Sequence, residues 1–229
     1  MFKKLFGAFG IARASGGTPR ATGLHDPYRE AHTNYFYNLL FCDDPALFMQ
    51  DEGEQPDDPR KRLLAEPPDV AALREFARDG TQEGRLRLLA YRRLAALGEM
   101  PSSKELLGVV VEVPLEGGLD VLAAFNDGGV RYLNQSGKIF VGEDPGHPVG
   151  RLAQELIAVA RPVIDQIGPW DAQRLAPPKM GNIRITFLVS DGLYFGEGPY
   201  AVFQSDAMAG PILAKATELL QQVVDTGTR

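Results

Sequence analysis

The chain contains few of the residues that most often carry chemistry, with one cysteine, three histidines and one tryptophan. The single cysteine, Cys42, excludes an intramolecular disulfide and is typical of a protein from a reducing compartment. None of His25, His32 and His147 has another histidine three or four residues away, the spacing that places two metal ligands on one helical face. We therefore expect no metal site and no cofactor.

A catalytic nucleophile is also hard to find. The sequence has no Gly-x-Ser-x-Gly motif, so nothing indicates a serine hydrolase built on that turn. Cys42 could form a thiol–base pair with His25 or His32, but a small buried residue at the end of a helix explains this cysteine without chemistry. We expect a protein that is not an enzyme.

Positive charge is in deficit, because 24 lysines and arginines stand against 30 acids and give a formal net charge of −6. This balance argues against general binding to nucleic acid, which needs clustered Lys and Arg. Residues 51–58 carry acidic side chains without a base, but they lack the spacing of a calcium-binding EF-hand loop. We interpret them as a solvated acidic loop.

Long hydrophobic runs are absent as well, and no segment approaches the roughly 20 apolar residues that a membrane-spanning helix requires. An apolar stretch runs from Phe2 to Ile11, with Lys3 and Lys4 near its start. Three interpretations stay open for it: an export signal, a weak interfacial anchor, or a short helix docked on its own protein. We expect a cytoplasmic, bacterial-type protein with at most a weak peripheral membrane contact through this stretch.

Helical periodicity dominates the first hundred residues. A stretch rich in Gly, Thr and Pro over 15–23 predicts a linker, and apolar residues at helical spacing follow from Asp26. Two further helices are predicted over residues 69–76 and 83–97. The predicted organisation is an N-terminal segment and linker over 1–24, a helical subdomain over 25–100 and an α+β domain over 101–229.

The pattern changes to strands after residue 101. Four apolar segments predict an antiparallel meander over residues 107–115, 119–125, 130–133 and 138–141. Between the second and third, residues 126–129 tolerate the positive φ of a tight hairpin. A helix is then predicted from His147 to about Ile167, with a kink or an early end at Pro162.

The last third predicts a second hairpin and a second helix. After an irregular crossover over 168–180, a strand over 182–190 leads to a turn at Asp191 and Gly192. The return strand is predicted to be interrupted by a bulge or bend at residues 196–199 and to continue over 200–203. Ser205 or Asp206 then caps a final helix that runs to about residue 224.

One phrase occurs twice in the sequence. An apolar segment is followed by Asp-Gly in residues 121–128 and again in residues 184–192. In each case an aromatic segment and a predicted helix come next. We interpret the phrase as a hairpin-then-helix unit used twice, over 106–167 and 181–225. The two units predict one antiparallel sheet of about six strands, with two helices on one face and the helical N-terminal part over the other. The predicted fold class is α+β.

Glu197 is the most suggestive polar residue. Gly196 and Gly198 allow a close approach of the backbone to a ligand, and Glu197 is predicted to project from this loop beside Tyr194 and Tyr200. A phosphate cradle would need glycines that lead into a helix N-terminus, which this segment does not provide. We predict a ligand or partner contact here.

A second set of candidates lies on predicted strands. Arg131 and Tyr132 belong to the first hairpin, and Arg184 lies on the strand that is its proposed symmetry mate. Such residues are also what the solvated face of an antiparallel sheet normally carries. Turn formation explains Asp127 and Asp191 better than a pair of catalytic carboxylates does.

The leading functional hypothesis is a non-catalytic protein-binding or regulatory module. Its partner is expected to be another protein or a second copy of the chain, because a duplicated sheet offers edges and faces while no catalytic or metal constellation is recognisable. The alternative is a small-molecule-binding protein or an enzyme that uses the loop from Gly196 to Pro199 together with Arg131 or Arg184.

Overall fold

The computed structural model describes residues 23–49 and 58–227. Their helices are α1 (Ala31–Leu39), α2 (Ala46–Met49), α3 (Pro59–Leu63), α4 (Val70–Arg78), α5 (Gly84–Ala96), α6 (Pro148–Ala160), α7 (Tyr200–Ser205) and α8 (Ala209–Gly227). Their strands are β1 (Leu106–Leu115), β2 (Gly118–Phe125), β3 (Val130–Leu133), β4 (Ile139–Gly142), β5 (Asn182–Val189) and β6 (Gly192–Pro199). The predictions for the N-terminal stretch and for residues 51–57 lie outside the described residues.

The strands form a single sheet in the order β4-β3-β2-β1-β5-β6, and every neighbouring pair is antiparallel. The first four strands make the predicted meander, and the hairpin of β5 and β6 extends the sheet from β1. The α+β class with six antiparallel strands is confirmed. The internal duplication stays a prediction.

Helices α6 and α8 cover one face of the sheet. Val109 and Ile185 point to this side and share a core with Leu156 of α6 and Leu219 of α8. Because side chains alternate along a strand, the residues next to Val109 in β1 and next to Ile185 in β5 point to the other side. This layer corresponds to the two covering helices expected from the sequence.

The N-terminal helices cover the opposite face. Tyr37 of α1 and Leu88 of α5 share a second core with Val110, Val121 and Leu188 of the sheet. Burial on both faces explains why β1 and β5 are almost continuously apolar instead of alternating.

Helix α4 begins as its sequence predicts, whereas α5 depends on the sheet. Asp69 accepts a hydrogen bond from the backbone N–H of Ala72 at 3.0 Å, which caps α4. At the start of α5, the side chain of Glu83 makes no such bond. Asp127 of the hairpin between β2 and β3 instead accepts from the N–H of Gly84 at 2.6 Å.

The hairpin between β2 and β3 has the predicted glycine turn. The C=O of Phe125 accepts from the N–H of Gly128 at 3.0 Å, and the N–H of Phe125 donates to the C=O of Gly129 at 2.8 Å. Gly128 has a φ of +90°, a conformation that favours glycine.

The second hairpin turns one residue earlier than predicted. Val189 pairs with Gly192, so the loop consists of Ser190 and Asp191, and Gly192 is the first residue of β6. Gly192 serves close packing, since a Cβ on it would lie 3.1 Å from the Cβ of Pro169 in the crossover. The two Asp-Gly phrases therefore make different turns.

The predicted interruption of the return strand at residues 196–199 is wrong. Strand β6 pairs with β5 residue by residue from Gly192 to Pro199 without a register shift. The residues that were expected to continue the strand form α7 instead. Gly198 is needed because a Cβ there would lie 2.8 Å from Cε1 of Phe203, so the glycine accommodates α7 and not a bend.

Two helix boundaries lie where the sequence predicts them. Helix α6 ends at Ala160 and passes into a 3-10 turn over Arg161–Asp165, in agreement with the early end expected at Pro162. Asp206 accepts hydrogen bonds from the backbone N–H groups of Met208 and Ala209, both at 2.8 Å, and so caps α8. No helix within residues 23–49 and 58–227 is long and apolar enough to cross a membrane.

A candidate protein-binding edge at strand β6

Arg184 and Glu197 face each other across β5 and β6. Nε and Nη2 of Arg184 donate to Oε2 of Glu197 at 3.0 and 2.6 Å. Nη1 and Nη2 also donate to the carbonyl oxygens of Leu175 and Ala176 at 3.2 and 2.7 Å. These bonds use most of the donors of the guanidinium and attach the crossover to the sheet, which leaves little capacity for a ligand.

Glu112 of β1 is the third charged residue of this row, and it is not among the site residues predicted from the sequence. Only 1% of Glu112 is exposed. Its Oε1 accepts from the hydroxyl of Tyr37 at 2.7 Å, and its Oε2 lies 3.6 Å from Nη1 of Arg184. Burial raises the pKa of Glu112 above its ordinary value, although Arg184 and the Tyr37 hydrogen bond act in the opposite direction.

Arg174 holds the crossover against α1. Its Nε donates to Oδ2 of Asp43 at 2.8 Å, and its Nη2 donates to Oδ1 of Asn38 at 2.7 Å. The guanidinium carbon lies 4.0 Å from the ring centroid of Phe41. The crossover between α6 and β5 is thus fixed at Arg174 and at Arg184, and it covers the β5–β6 end of the sheet.

The two tyrosines of the predicted site lie in different environments. Tyr194 is fully buried on the face covered by α6 and α8, and its hydroxyl donates to Oδ2 of Asp191 at 3.0 Å. Burial raises the pKa of Tyr194 above its ordinary value. Tyr200 is the first residue of α7 and is 46% exposed. Only Tyr200 is available to a partner.

Arg131 and Tyr132 lie on β3, four strand positions from β6. At the usual spacing of strands, this places them about 19 Å from Glu197. Arg131 donates to Oε1 of Glu143 at 2.7 Å, and Tyr132 donates to Oδ2 of Asp120 at 2.9 Å. The structure therefore brings Arg184 and Glu197 together, but it does not bring Arg131 and Tyr132 to them.

The outer edge of β6 carries backbone groups that point away from the sheet. In an antiparallel ladder, alternate residues bond to the neighbouring strand and those between point outwards. The C=O of Leu193 accepts from the N–H of Trp170 at 2.6 Å, which shows that Leu193 is an outward residue. By the same alternation, Phe195 and Glu197 also point outwards, and in the described part of the chain their backbone groups have no partner beyond β5.

Aromatic and apolar side chains surround this edge. The rings of Trp170 and Phe195 pack edge to face with centroids 5.1 Å apart. At the far end of the strand, Met180, Tyr200 and Val202 are 66%, 46% and 50% exposed. The backbone N–H of Tyr200 donates to the carbonyl oxygen of Gly181 at 3.3 Å, which brings Tyr200 close to Met180.

The other edge of the sheet is shorter than β6 and is flanked by charge at both ends. Strand β4 is only 4 residues long, whereas β6 has 8. Lys138 and Glu143 flank β4 with charge. Short strands and flanking charges are the usual protection of an edge against unwanted pairing. The long, aromatic-rimmed edge of β6 is therefore the better candidate for a binding surface.

Cys42 is not placed for chemistry. It is fully buried, and its Sγ donates to the carbonyl oxygen of Leu39 at 3.6 Å. Burial raises the pKa of the thiol to about 12, so it stays protonated at neutral pH. Among the residues that the structure describes, no three His, Cys, Asp or Glu side chains are grouped to hold a metal ion.

Two residues of this region carried weak signals in the sequence. Glu112 interrupts a valine-rich strand, and a lone acid in such a run indicates a buried partner. Trp170 lies in a proline-rich crossover, where nothing local predicts that it would bridge to β6. Arg174 had no signal, because its contacts are with residues more than 100 positions away.

Comparisons with known proteins give no further guide. Neither a protein-family model nor a curated protein sequence matches the chain.

Proposed function

We propose that this protein is a non-catalytic protein-binding module that captures an extended segment of another protein along the outer edge of β6. The observation that carries the proposal is the pair of outward-pointing backbone positions, Phe195 and Glu197, without partners in the described part of the chain. Strand addition uses such groups for affinity and uses neighbouring side chains for specificity. A cytoplasmic setting fits the single buried Cys42.

The surroundings of the edge favour an apolar segment. Alternate side chains of an added strand would contact Trp170 and Phe195 on one side of the sheet and α7 on the other. Aromatic residues of this kind dominate the energetics of many interfaces. Because the chain has a net charge of −6, we expect a neutral or basic segment.

A second copy of the chain fits this edge less well than a single segment. Symmetric antiparallel pairing of two β6 strands centred near Gly196 would place Trp170, which already occupies the start of the edge, against the α7 end of the other copy. A segment of about five residues covers the stretch from Phe195 to Pro199 without that conflict, at about 3.3 Å per residue.

The alternative, a small-molecule site or an enzyme built on residues 196–199, has less support. These residues form a strand, and Arg184 is engaged by Glu197 and two carbonyl groups. The cavity between α4, α5 and the connection to β1 is a better place for a small ligand.

The test combines a displayed library of random peptides with amide hydrogen exchange. In the free protein, we expect the amides of Phe195 and Glu197 to exchange fast and those of Gly196 and Gly198, which bond to β5, to exchange slowly. A selected peptide should slow exchange at the outward pair. Phe195→Pro removes an outward N–H to which the peptide would bond. The peptide should therefore bind this variant at least about tenfold more weakly, which corresponds to a loss of 1.4 kcal/mol or more of binding free energy.

The matched control is Val141→Pro on the opposite edge, where binding should be unchanged. Equal binding to Phe195→Pro, or protection at another surface, would overturn the proposal. Protection of the Phe195 and Glu197 amides that grows with protein concentration and needs no peptide would also overturn it, in favour of a homodimer.

A further inference from the structure

A cavity of about 520 Å³ lies where α4 and α5 meet the connection to β1. Its volume falls within the range of small-molecule sites, roughly 300–1,000 Å³. The walls combine an apolar part with a polar part. The apolar part consists of Ala77, Leu94, Met100 and Pro101, and the polar part includes Arg74, Arg78, Tyr91, Ser102, Ser103, Glu99 and Glu105.

The acids of this cavity are already neutralised. Nη2 of Arg74 lies 2.5 Å from Oε2 of Glu99, and Nη2 of Arg87 lies 2.7 Å from Oε2 of Glu105. Arg87 is 4% exposed and also donates to the carbonyl oxygen of Ala77 at 2.9 Å, so this ion pair is part of the packing between α4 and α5. Each carboxylate is therefore paired with an arginine, which reduces its repulsion of an anion.

Arg78 is the arginine of the cavity wall that has no acidic partner among the described residues. It lies one helical turn after Arg74 on α4, and within the described residues it makes no hydrogen bond or ion pair. Like charges at this spacing destabilise a helix slightly. The cavity wall carries two arginines, Arg74 and Arg78, and two glutamates, Glu99 and Glu105; Glu105 is paired with Arg87, which lies outside the wall.

Hydroxyl groups complete the polar wall. Ser102 and Ser103 are exposed and line the cavity together with Tyr91. A hydroxyl can donate to a phosphate oxygen, and an arginine binds phosphate through two parallel N–H groups. The ring of Tyr91 and the apolar wall offer contact to the remainder of a ligand, because the cavity is much larger than a phosphate ion.

We propose that this cavity binds a small phosphate monoester, with Arg78 and the hydroxyls of Ser102 and Ser103 on the phosphate and Tyr91 against its organic part. The site is separate from the β6 edge and does not depend on the proposed protein partner.

The test uses the full chain with AMP as a phosphate monoester and adenosine as its uncharged counterpart, at constant ionic strength. We expect AMP to shift the backbone amide resonances of Arg78 and of residues 99–105, and adenosine to leave them unchanged. Inorganic phosphate should shift the same amides. Arg78→Gln should weaken AMP binding by about tenfold or more, as the loss of a charge-assisted hydrogen bond does.

Arg151→Gln is the matched control, since Arg151 lies on α6 across the sheet from the cavity. Folding is not at risk in the test variant, because Arg78 is exposed. The proposal fails if millimolar AMP shifts none of these amides, if Arg78→Gln binds AMP as the unmodified protein does, or if adenosine binds equally well. In those cases Arg78 is a solvated cation at the C-terminus of a helix.

Discussion

The carboxylate of Asp127 accepts a hydrogen bond from the backbone N–H of Gly84 at 2.6 Å, across 43 positions of sequence. Its other oxygen accepts from the N–H of Gly129 within the hairpin at 2.8 Å. One side chain thus satisfies both a turn and the start of α5. A Cβ on Gly84 would lie 2.7 Å from Oδ1 of Asn126, so glycine allows this close approach.

Replacing Asp127 by alanine should lower the free energy of unfolding by about 1–2 kcal/mol, the usual cost of a lost helix cap. The effect should exceed that of Glu116→Ala, which removes an exposed carboxylate from the turn between β1 and β2. Urea unfolding followed by circular dichroism measures both variants. Equal stability of the two would show that the Asp127 contact contributes nothing beyond surface charge.

The buried carboxyl of Glu112 should give the protein a specific pH dependence. Because burial raises its pKa, folded Glu112 holds its proton more tightly than the unfolded chain does. Its stabilising contribution is therefore complete below the ordinary value of 4.5 and is lost as the pH rises through the raised pKa. The groups that face it are Tyr37 of α1, Arg184 of β5, Glu197 of β6 and Arg174 of the crossover.

The measurement compares Glu112→Gln with the unmodified protein by denaturant unfolding over a pH series. The difference in the free energy of unfolding between the unmodified protein and Glu112→Gln should be largest at acidic pH and should shrink towards neutral pH. The decrease should be about 1.4 kcal/mol for each tenfold by which folding increases the proton affinity of Glu112. Glu116→Gln should show no such trend. An advantage that grows with pH would mean that the ion pair with Arg184 outweighs burial.

We expect position 198 to require glycine because the ring of Phe203 of α7 packs closely against it. Gly198→Ala places a Cβ 2.8 Å from Cε1 of Phe203, and overpacking of this kind costs about 1–3 kcal/mol. Phe203→Leu removes the conflicting ring atoms, so the double variant should lose less stability than the two single variants predict together. A double-mutant cycle measures this coupling. Strict additivity would show that Phe203 moves aside without cost.

Local patterns were sufficient to predict most elements of this protein. The valine-rich segment of β1 and the apolar stripe of α5 are properties of short stretches, so their positions are confirmed within a few residues. Helix α6 ends close to Pro162 because proline has no backbone N–H to donate, and this property can be read from the residue itself. The prediction for residues 196–199 failed for a non-local reason. Gly198 is required by its close contact with Phe203 of α7, and a glycine in the sequence does not show whether it serves such a contact or a bend.

The site was only partly predictable, since its parts are distant in sequence. Arg184 and Glu197 were both named from the sequence, and register across β5 and β6 brought them together. The strand order of the sheet separates Arg131 on β3 from Arg184 by three strand positions and from Glu197 by four. Trp170 could not be assigned to the β6 edge, because an irregular crossover has no periodicity that predicts where it lies.

The sequence by itself determined the class of the fold, the order along the chain of the six strands and the longer helices, and the absence of a recognisable catalytic motif, since these follow from periodicity, turn residues and residue types within short windows. Only the tertiary structure decided that Glu112 and Arg184 are buried together and that Arg78 lines a cavity. It also decided that, among the described residues, no strand pairs with the edge of β6 beyond Trp170 and no acid pairs with Arg78. These features depend on which elements pack side by side, and that outcome is set by burial and register over the whole chain.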